Sequence, residues 1–336
     1  MNIGYIIDIG CCVSSFNGIR MQAQVWAEEL IRRSNHVVFI NPWEKIEWKS
    51  LDIIHIFGQN ENVLGWCRAL SQYKIPIVLS PIIDTIQSVQ KYRMAASLNI
   101  PFLRLSSVNN KMKRTNQYIS MWFARSEYEV SYITGAYCVP VSKTALIPLS
   151  FRTHTIDCYP IKKNYCLHVS KITDGRKNVM RLMKAAIKYN FELVLAGSNQ
   201  ETEFGPFKEV IDANDNITYL GRVSEEKLIE LYKEAKVFAL PSINEGVGLV
   251  ALEAASFGCD IVITEIGGPH EYYGGLCYMV NPYSIDNIGE SVIKALEGKT
   301  FQPRLKEYIT SNYNIISCVD SLLDQYKKVI KGIEEV

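Results

Sequence analysis

The sequence predicts an α/β protein of two tandem Rossmann-like domains, with mostly parallel sheets and a cleft between them. Three observations predict it. Short apolar runs alternate with helical patterns along almost all of the 336 residues, which is the βαβ rhythm of a parallel sheet covered on both faces. The rhythm breaks once, at the polar stretch 151–164 (FRTHTIDCYPIKKN), and then restarts. After the break, predicted strands end at Gly197, Gly221 and Pro241, residues that stop a strand and open a turn.

In chain order, Ile3–Ile7 is a first strand, because Asp8 interrupts the apolar run early and no basic segment precedes it as a signal peptide would need. Residues Gln22 to Arg33 read as an amphipathic helix with Val25, Trp26, Leu30 and Ile31 apolar and two arginines in the last turn. Strands follow at 36–40, 53–57, 75–79, 120–123 and 145–148. Beyond the break come strands at 165–169, 192–196, 217–220, 237–240 and 260–264. Between them lie helices at 179–189, at 224–235 with Ser224 as N-cap, and at 249–257 closed by Gly258. The division is 1–150, a linker 151–164, and 165–336. Within the last stretch Leu322, Leu323, Tyr326, Val329 and Ile330 form one helical stripe that must pack on something.

Charge and composition exclude several classes. The 36 Lys and Arg against 35 Asp and Glu leave no positive excess for holding nucleic acid. No apolar run reaches membrane-spanning length. The nine cysteines have no C-x-x-C pair and the five histidines no metal spacing, so the reading is reduced cytoplasmic thiols and no metal. Residues 1–150 carry 15 basic against 10 acidic groups, +5, and residues 151–336 carry 21 against 25, −4. The basic half points to an anionic partner, including peripheral contact with the inner membrane. His55 and His168 lie in apolar strands and read as structural. Trp43 and Trp48 read as loop packing, and Lys111, Lys113 and Arg114 as a solvated basic turn.

The segment 240–253, LPSINEGVGLVALE, carries the chemistry. A strand leads through a turn to Glu245, then Gly246-Val247-Gly248, then a helix starting at Leu249 and Val250. Glycines allow close backbone approach, and free amides at a helix start hold phosphate oxygens. Glu245 and Glu253, roughly 12 Å apart if helical, suit two ends of an extended ligand. Glu253 can accept two hydrogen bonds from a ribose diol. Lys171 and Lys177, at a strand end and in the next loop, suit charge developing on a departing phosphate. No D-x-D triplet occurs, so cations and amides stand in for a metal.

Glu245-x7-Glu253 resembles the E-x7-E signature of the retaining nucleotide-sugar glycosyltransferases of family 4, which have the GT-B fold. Leu167-His168-Val169-Ser170-Lys171, Lys177-Asn178, Asn216 to Gly221, Ile147-Pro148 and Gly267-Gly268-Pro269-His270-Glu271 resemble further motifs of that family, in order. Lys171 stands where the family has Arg, and Arg176 can supply the fork. The N-terminal loop is Ser15-Phe16-Asn17-Gly18, without a Gly-Gly pair, and 79–84 has no His. The resemblance implies Lys171, Lys177 and Glu245 as catalytic residues. It implies Gly18, Arg176, Gly246, Val247, Gly248, Leu249, Val250 and Glu253 as donor-binding. A nucleotide-diphosphate sugar would be co-substrate without further cofactor, and a glycan or lipid-linked carrier the acceptor. The resemblance also implies a C-terminal helix packing back toward the N-domain and a role in surface polysaccharide assembly.

Two other classes remain. Gly246-x-Gly248-x-x-Ala251 with Glu265 fits an NAD(P)-dependent oxidoreductase, although five residues separate strand and first glycine. The other is a GT-B nucleotide-sugar epimerase, which would need N-domain acid/base groups with Asp8, Asp84 and His55 as the candidates, or a non-catalytic binding subunit.

Overall fold

The computed structural model describes residues 1–8, 10–11, 17–100, 105–152 and 159–334. The chain forms two compact units, Met1–Leu149 with Ile315–Val336, and Ser150–Asn314. Division by chain order therefore misses one element: the last helix belongs with the first unit.

In the first unit, β1 (Asn2–Ile7), β2 (His36–Phe39), β3 (Ile53–Phe57) and β4 (Ile77–Ser80) join β7 (Met121–Ala124) and β8 (Thr144–Leu146) in one sheet. Strands β5 (Asn99–Ile100) and β6 (Leu105–Ser106) form a separate antiparallel pair. The large sheet runs β2-β1-β3-β4-β7-β8 and is parallel throughout. Strand β3 (IIHIF) is buried at every residue, as an apolar run enclosed on both faces must be, whereas edge strand β2 is half exposed. The helix Gly18–Arg32 begins where Asn17 Oδ1 accepts from the amides of Ile19 (2.9 Å) and Arg20 (3.2 Å). Ser15 and Phe16 lie outside the described residues.

The last helix, Ile315–Glu334, packs on Gly18–Arg32. Arg33 pairs with Asp320 and donates to the Ile316 carbonyl at 3.0 Å. The predicted stripe is buried through Leu322, Leu323, Tyr326 and Val329. Its Tyr326 hydroxyl lies 2.6 Å from His55 Nδ1, and His55 Nε2 lies 2.8 Å from Ser80 Oγ. Burial drives the His55 pKa well below its ordinary value, so the ring is a neutral structural group.

In the second unit, β9 (Lys163–Val169), β10 (Leu193–Ala196), β11 (Ile217–Tyr219), β12 (Ala235–Leu240), β13 (Asp260–Thr264) and β14 (Tyr278–Val280) run β11-β10-β9-β12-β13-β14, all parallel. That is the doubly wound order whose direction reverses between β9 and β12. The helices at 179–189, 225–234 and 249–256 match expectation within a residue or two.

Two readings change. Residues 153–158 of the expected linker lie outside the described residues, but its end is packed. Tyr159 Oη donates to Gly258 O, Lys162 Nζ donates to the carbonyls of Tyr232 and Phe257, and β9 already starts at Lys163. Lys111, Lys113 and Arg114 are helical, not a turn: Ser107 caps the helix Val108–Thr115 through Asn110 N, and Met112 buries between the charges. Trp48 packs on Trp66 and Tyr73, as read, while Trp43 is 90% exposed.

Candidate active site

The order reversal between β9 and β12 opens a crevice beyond their carboxyl ends, where ligands of such sheets bind. Two loops meet there. The first follows β9 and contains Lys171, Arg176 and Lys177. The second follows β12 and contains Ser242, Glu245 and the Gly246–Gly248 turn. Their backbones are joined by the Ile243 amide donating to Arg176 O at 2.7 Å.

Asp174 shapes the first loop. Its carboxylate caps the short turn Gly175–Lys177 by accepting from Arg176 N at 3.0 Å, and it also takes Arg176 Nη2 at 3.0 Å. Burial works against this charge, but the Arg176 hydrogen bonds prevail and hold the Asp174 pKa below its usual value. Asn178 then adopts φ 59, the left-handed region that asparagine tolerates. Its buried amide donates to Pro241 O (2.8 Å) and Pro282 O (2.7 Å), fixing the loop to those after β12 and β14.

These anchors bring Lys177 Nζ to 2.6 Å from Glu245 Oε1, and Ser242 Oγ donates to the same oxygen at 2.7 Å. The Glu245 backbone is held as tightly. Its amide donates to Ile266 O and its carbonyl accepts from Gly268 N. Gly267 sits at φ 111 against that carbonyl, where a Cβ would come within 1.9 Å of the oxygen. Gly248, at φ 79, is the N-cap of Leu249–Ser256, and the first intrahelical bond is Ala251 N to Gly248 O. The amides of Leu249 and Val250 precede that bond, at the positive end of the helix.

Not every predicted residue joins this pair. Lys171 Nζ donates to Gln200 Oε1 at 3.1 Å, and Arg176 is exposed on Asp174. Gly18 opens the first helix of the other compact unit. Glu253 is 1% exposed, and both its oxygens have protein donors: Arg152 Nε at 2.6 Å and Tyr232 Oη at 3.2 Å. Burial first, and then the Glu253 carboxylate, push the Tyr232 pKa well above its ordinary value, so the hydroxyl is a neutral donor. His168 is structural: fully buried, it lies 2.7 Å from both Ala239 O and Ser170 Oγ, and burial lowers its pKa to about 4. Sequence reasoning missed Arg152 and Ser242. Ser242 lies inside the segment already singled out, whereas Arg152 had no local signal.

Comparison with known proteins gives a family match over the second half of the chain. Residues 159–312 match the family model described as glycosyl transferases group 1. An uncharacterized glycosyltransferase of Methanocaldococcus jannaschii is 32% identical over 155 residues, 44% of this chain and 38% of the relative. The O-antigen chain mannosyltransferase B of Escherichia coli is 26% identical over 197 residues, 53% of this chain. The chain thus spans about half or less of these relatives' lengths, 51% in the second case. Among solved structures, sucrose-phosphate synthase from Thermosynechococcus elongatus superposes with a TM-score of 0.77 at 16% identity, over 99% of this chain and 100% of that one. HepE from Anabaena, in complex with UDP and glucose, gives 0.70 at 15% identity, over 98% and 100%. Residues 159–312 are thus similar to the glycosyl transferases group 1, and the chain has the two-domain GT-B fold of these solved structures.

Proposed function

We propose that the protein is a retaining glycosyltransferase that moves a hexosyl group from a nucleotide-diphosphate sugar to a glycan or lipid-linked acceptor in surface polysaccharide synthesis. The observation that carries the proposal is the Lys177–Glu245 pair at the β9/β12 reversal, beside the open start of the Leu249–Ser256 helix. A diphosphate leaving group gains negative charge as the glycosidic bond breaks. A fixed ammonium and two helix amides are the groups that stabilise such charge without reorganising. Glu245, held by Ser242 and by its own backbone, is proposed to orient the sugar.

Glu253 is proposed to take the ribose hydroxyls on lone pairs left by Arg152 and Tyr232, since a carboxylate accepts up to about four hydrogen bonds. Lys171 and Arg176 lie on the same loop and are proposed to bind the diphosphate once it is present. Gly18 is proposed as a further donor-binding residue. No covalent nucleophile is assigned. Same-face substitution, with the departing phosphate taking the acceptor proton, is proposed to give retention without a metal. The relative named for mannosyl transfer and the neighbour bound to UDP and glucose support a hexosyl donor for this chain. Residues 1–149 are proposed to serve the acceptor at the cytoplasmic face of the inner membrane. Among the described residues no helix is long and apolar enough to cross a membrane.

A thermal-shift screen of nucleotide sugars, followed by NMR of the product anomer, tests this. A stabilising donor and a product of unchanged anomeric configuration are expected. Stabilisation by NADH, with none by any nucleotide sugar, would favour the oxidoreductase.

A further inference from the structure

We infer that the outward face of the Val89–Ser97 helix, with the loop at Ile86, docks on an anionic lipid bilayer. Between Asp84 and Glu127 the sequence runs through residues 85–126 with seven Lys and Arg and no Asp or Glu. The basic surplus of the first half is thus concentrated in one stretch. Within it, the helix turns Val89, Tyr92 and Ala96 toward the core. The positions opposite, at i, i+3 and i+7, are Lys91, Met94 and Leu98. Met94 is 73% exposed, Leu98 57% and Ile86 63%.

Large apolar side chains left in water beside cations are the composition that a bilayer interface accepts. The apolar groups enter the acyl boundary, and the cations meet anionic headgroups. Arg93 is exposed on the same helix, and Arg114 on the helix Val108–Thr115 that packs beside it. Two cations of the stretch are turned to acids. Lys111 reaches Glu61 at 3.3 Å and Arg125 reaches Asp84 at 2.9 Å. Lys91, Arg93 and Arg114 have no ion-pair acid among the described residues.

The charge pattern selects an anionic bilayer over a neutral one. Three apolar side chains, one on a short helix, one at its C-cap and one in the loop before it, give too little area to hold without electrostatic help, so the docking must be salt-sensitive. Trp43, although more exposed, sits where Glu44 and Glu47 balance Lys45 and Lys49, so its segment has no cationic surplus for an anionic surface. It is therefore left outside the docking face. Docking would bring a lipid-linked acceptor to the first unit, a consequence that rests on the proposed function; the docking itself does not.

Sedimentation of the full chain with vesicles tests it, using phosphatidylcholine alone or with phosphatidylglycerol. The wild type should partition at least about tenfold more onto the anionic vesicles and lose this preference in high salt. Lys91→Glu with Arg93→Glu should cost at least about tenfold, since each charge near such a surface is worth roughly fivefold. Met94→Asp with Leu98→Ser should lower binding by a similar factor, and Trp43→Ala should leave it within about twofold. All substituted side chains are exposed, and circular dichroism checks folding. Equal partitioning onto both vesicle types, undiminished binding of the helix variants, or loss on Trp43→Ala alone would each overturn the proposal. UDP and GDP binding is followed in parallel. A protein that docks but binds neither nucleotide contradicts the proposed function only, and one that binds nucleotide but not vesicles contradicts only the docking.

Discussion

Lys177 is the residue on which transfer is expected to depend most. Its ammonium is already placed by Glu245, Asp174 and Asn178, so in the proposed reaction it would meet a developing phosphate charge without reorganising. Lys177→Ala is expected to lower kcat by roughly 10²–10³ with a smaller change in donor affinity, measured in steady-state transfer assays. Lys177→Arg should recover only part, because a planar fork replaces a compact ammonium. Glu253 demands a different design. Truncating it to Ala would strand Arg152 in a buried site, a loss of roughly 3–5 kcal/mol in stability that would mask any effect on ligand. Glu253→Gln keeps the volume, and calorimetry with UDP and GDP should then show affinity weaker by roughly 1–3 kcal/mol. Unchanged affinity would remove the ribose from Glu253. Tyr273 gives a prediction of opposite sign. Its buried hydroxyl has no hydrogen-bond partner among the described residues, so Tyr273→Phe should leave stability unchanged or raise it by up to about 1–3 kcal/mol in urea unfolding. At this scale Glu245 and Lys177 were legible, because both sit in short ordered motifs. Arg152 was not, because its partner is 101 residues away and a buried ion pair leaves no periodic trace in sequence.

At the scale of elements, two loops hold their shape through glycines that no other residue can replace. A Cβ at Gly197 would lie 1.8 Å from Ser170 O, and Gly267 is in the same position against Glu245 O. Gly267→Ala should cost at least about 1–3 kcal/mol from its positive φ alone, read as a lower Tm, and should displace Glu245 along with its carbonyl. The His168 ring anchors β9 to β12 and carries a pH dependence. Its folded pKa, about 4, is below the unfolded 6.5, so the unfolded chain binds the proton first as pH falls. Stability should therefore decline from about pH 6.5 toward pH 4, by roughly 2 kcal/mol at pH 5 from this group. In an NMR titration the ring should stay neutral at pH 5. The central strands and capped helices were legible because burial on both faces and Ser N-caps write themselves locally. The helix Glu201–Asp212 was not, because Gly205 and Pro206 interrupt its pattern and none of its residues is fully buried.

At the scale of the molecule, the sequence announced two Rossmann-like halves through the break near residue 150. The allegiance of the last helix to the first half was implied by the family resemblance, whereas the residues themselves showed only a stripe needing a partner. Its hydrophobic spacing says that it packs; the choice of partner depends on Tyr326 meeting His55 and on Arg33 meeting Asp320, contacts between residues more than 270 positions apart. The switch point itself was legible only in part, since strand order, unlike strand existence, is set by tertiary packing. That order puts the β9 and β12 loops side by side, where the nucleotide-diphosphate site is proposed. The most direct test is a calorimetric titration of UDP and of GDP into the wild-type chain and into Lys177→Ala. One of the two nucleotides should bind the wild type, and the variant should bind it several-fold to about tenfold more weakly, as for one ordinary hydrogen bond lost. Binding of neither nucleotide, or equal affinity in a folded Lys177→Ala protein, would contradict a diphosphate site at the β9/β12 reversal.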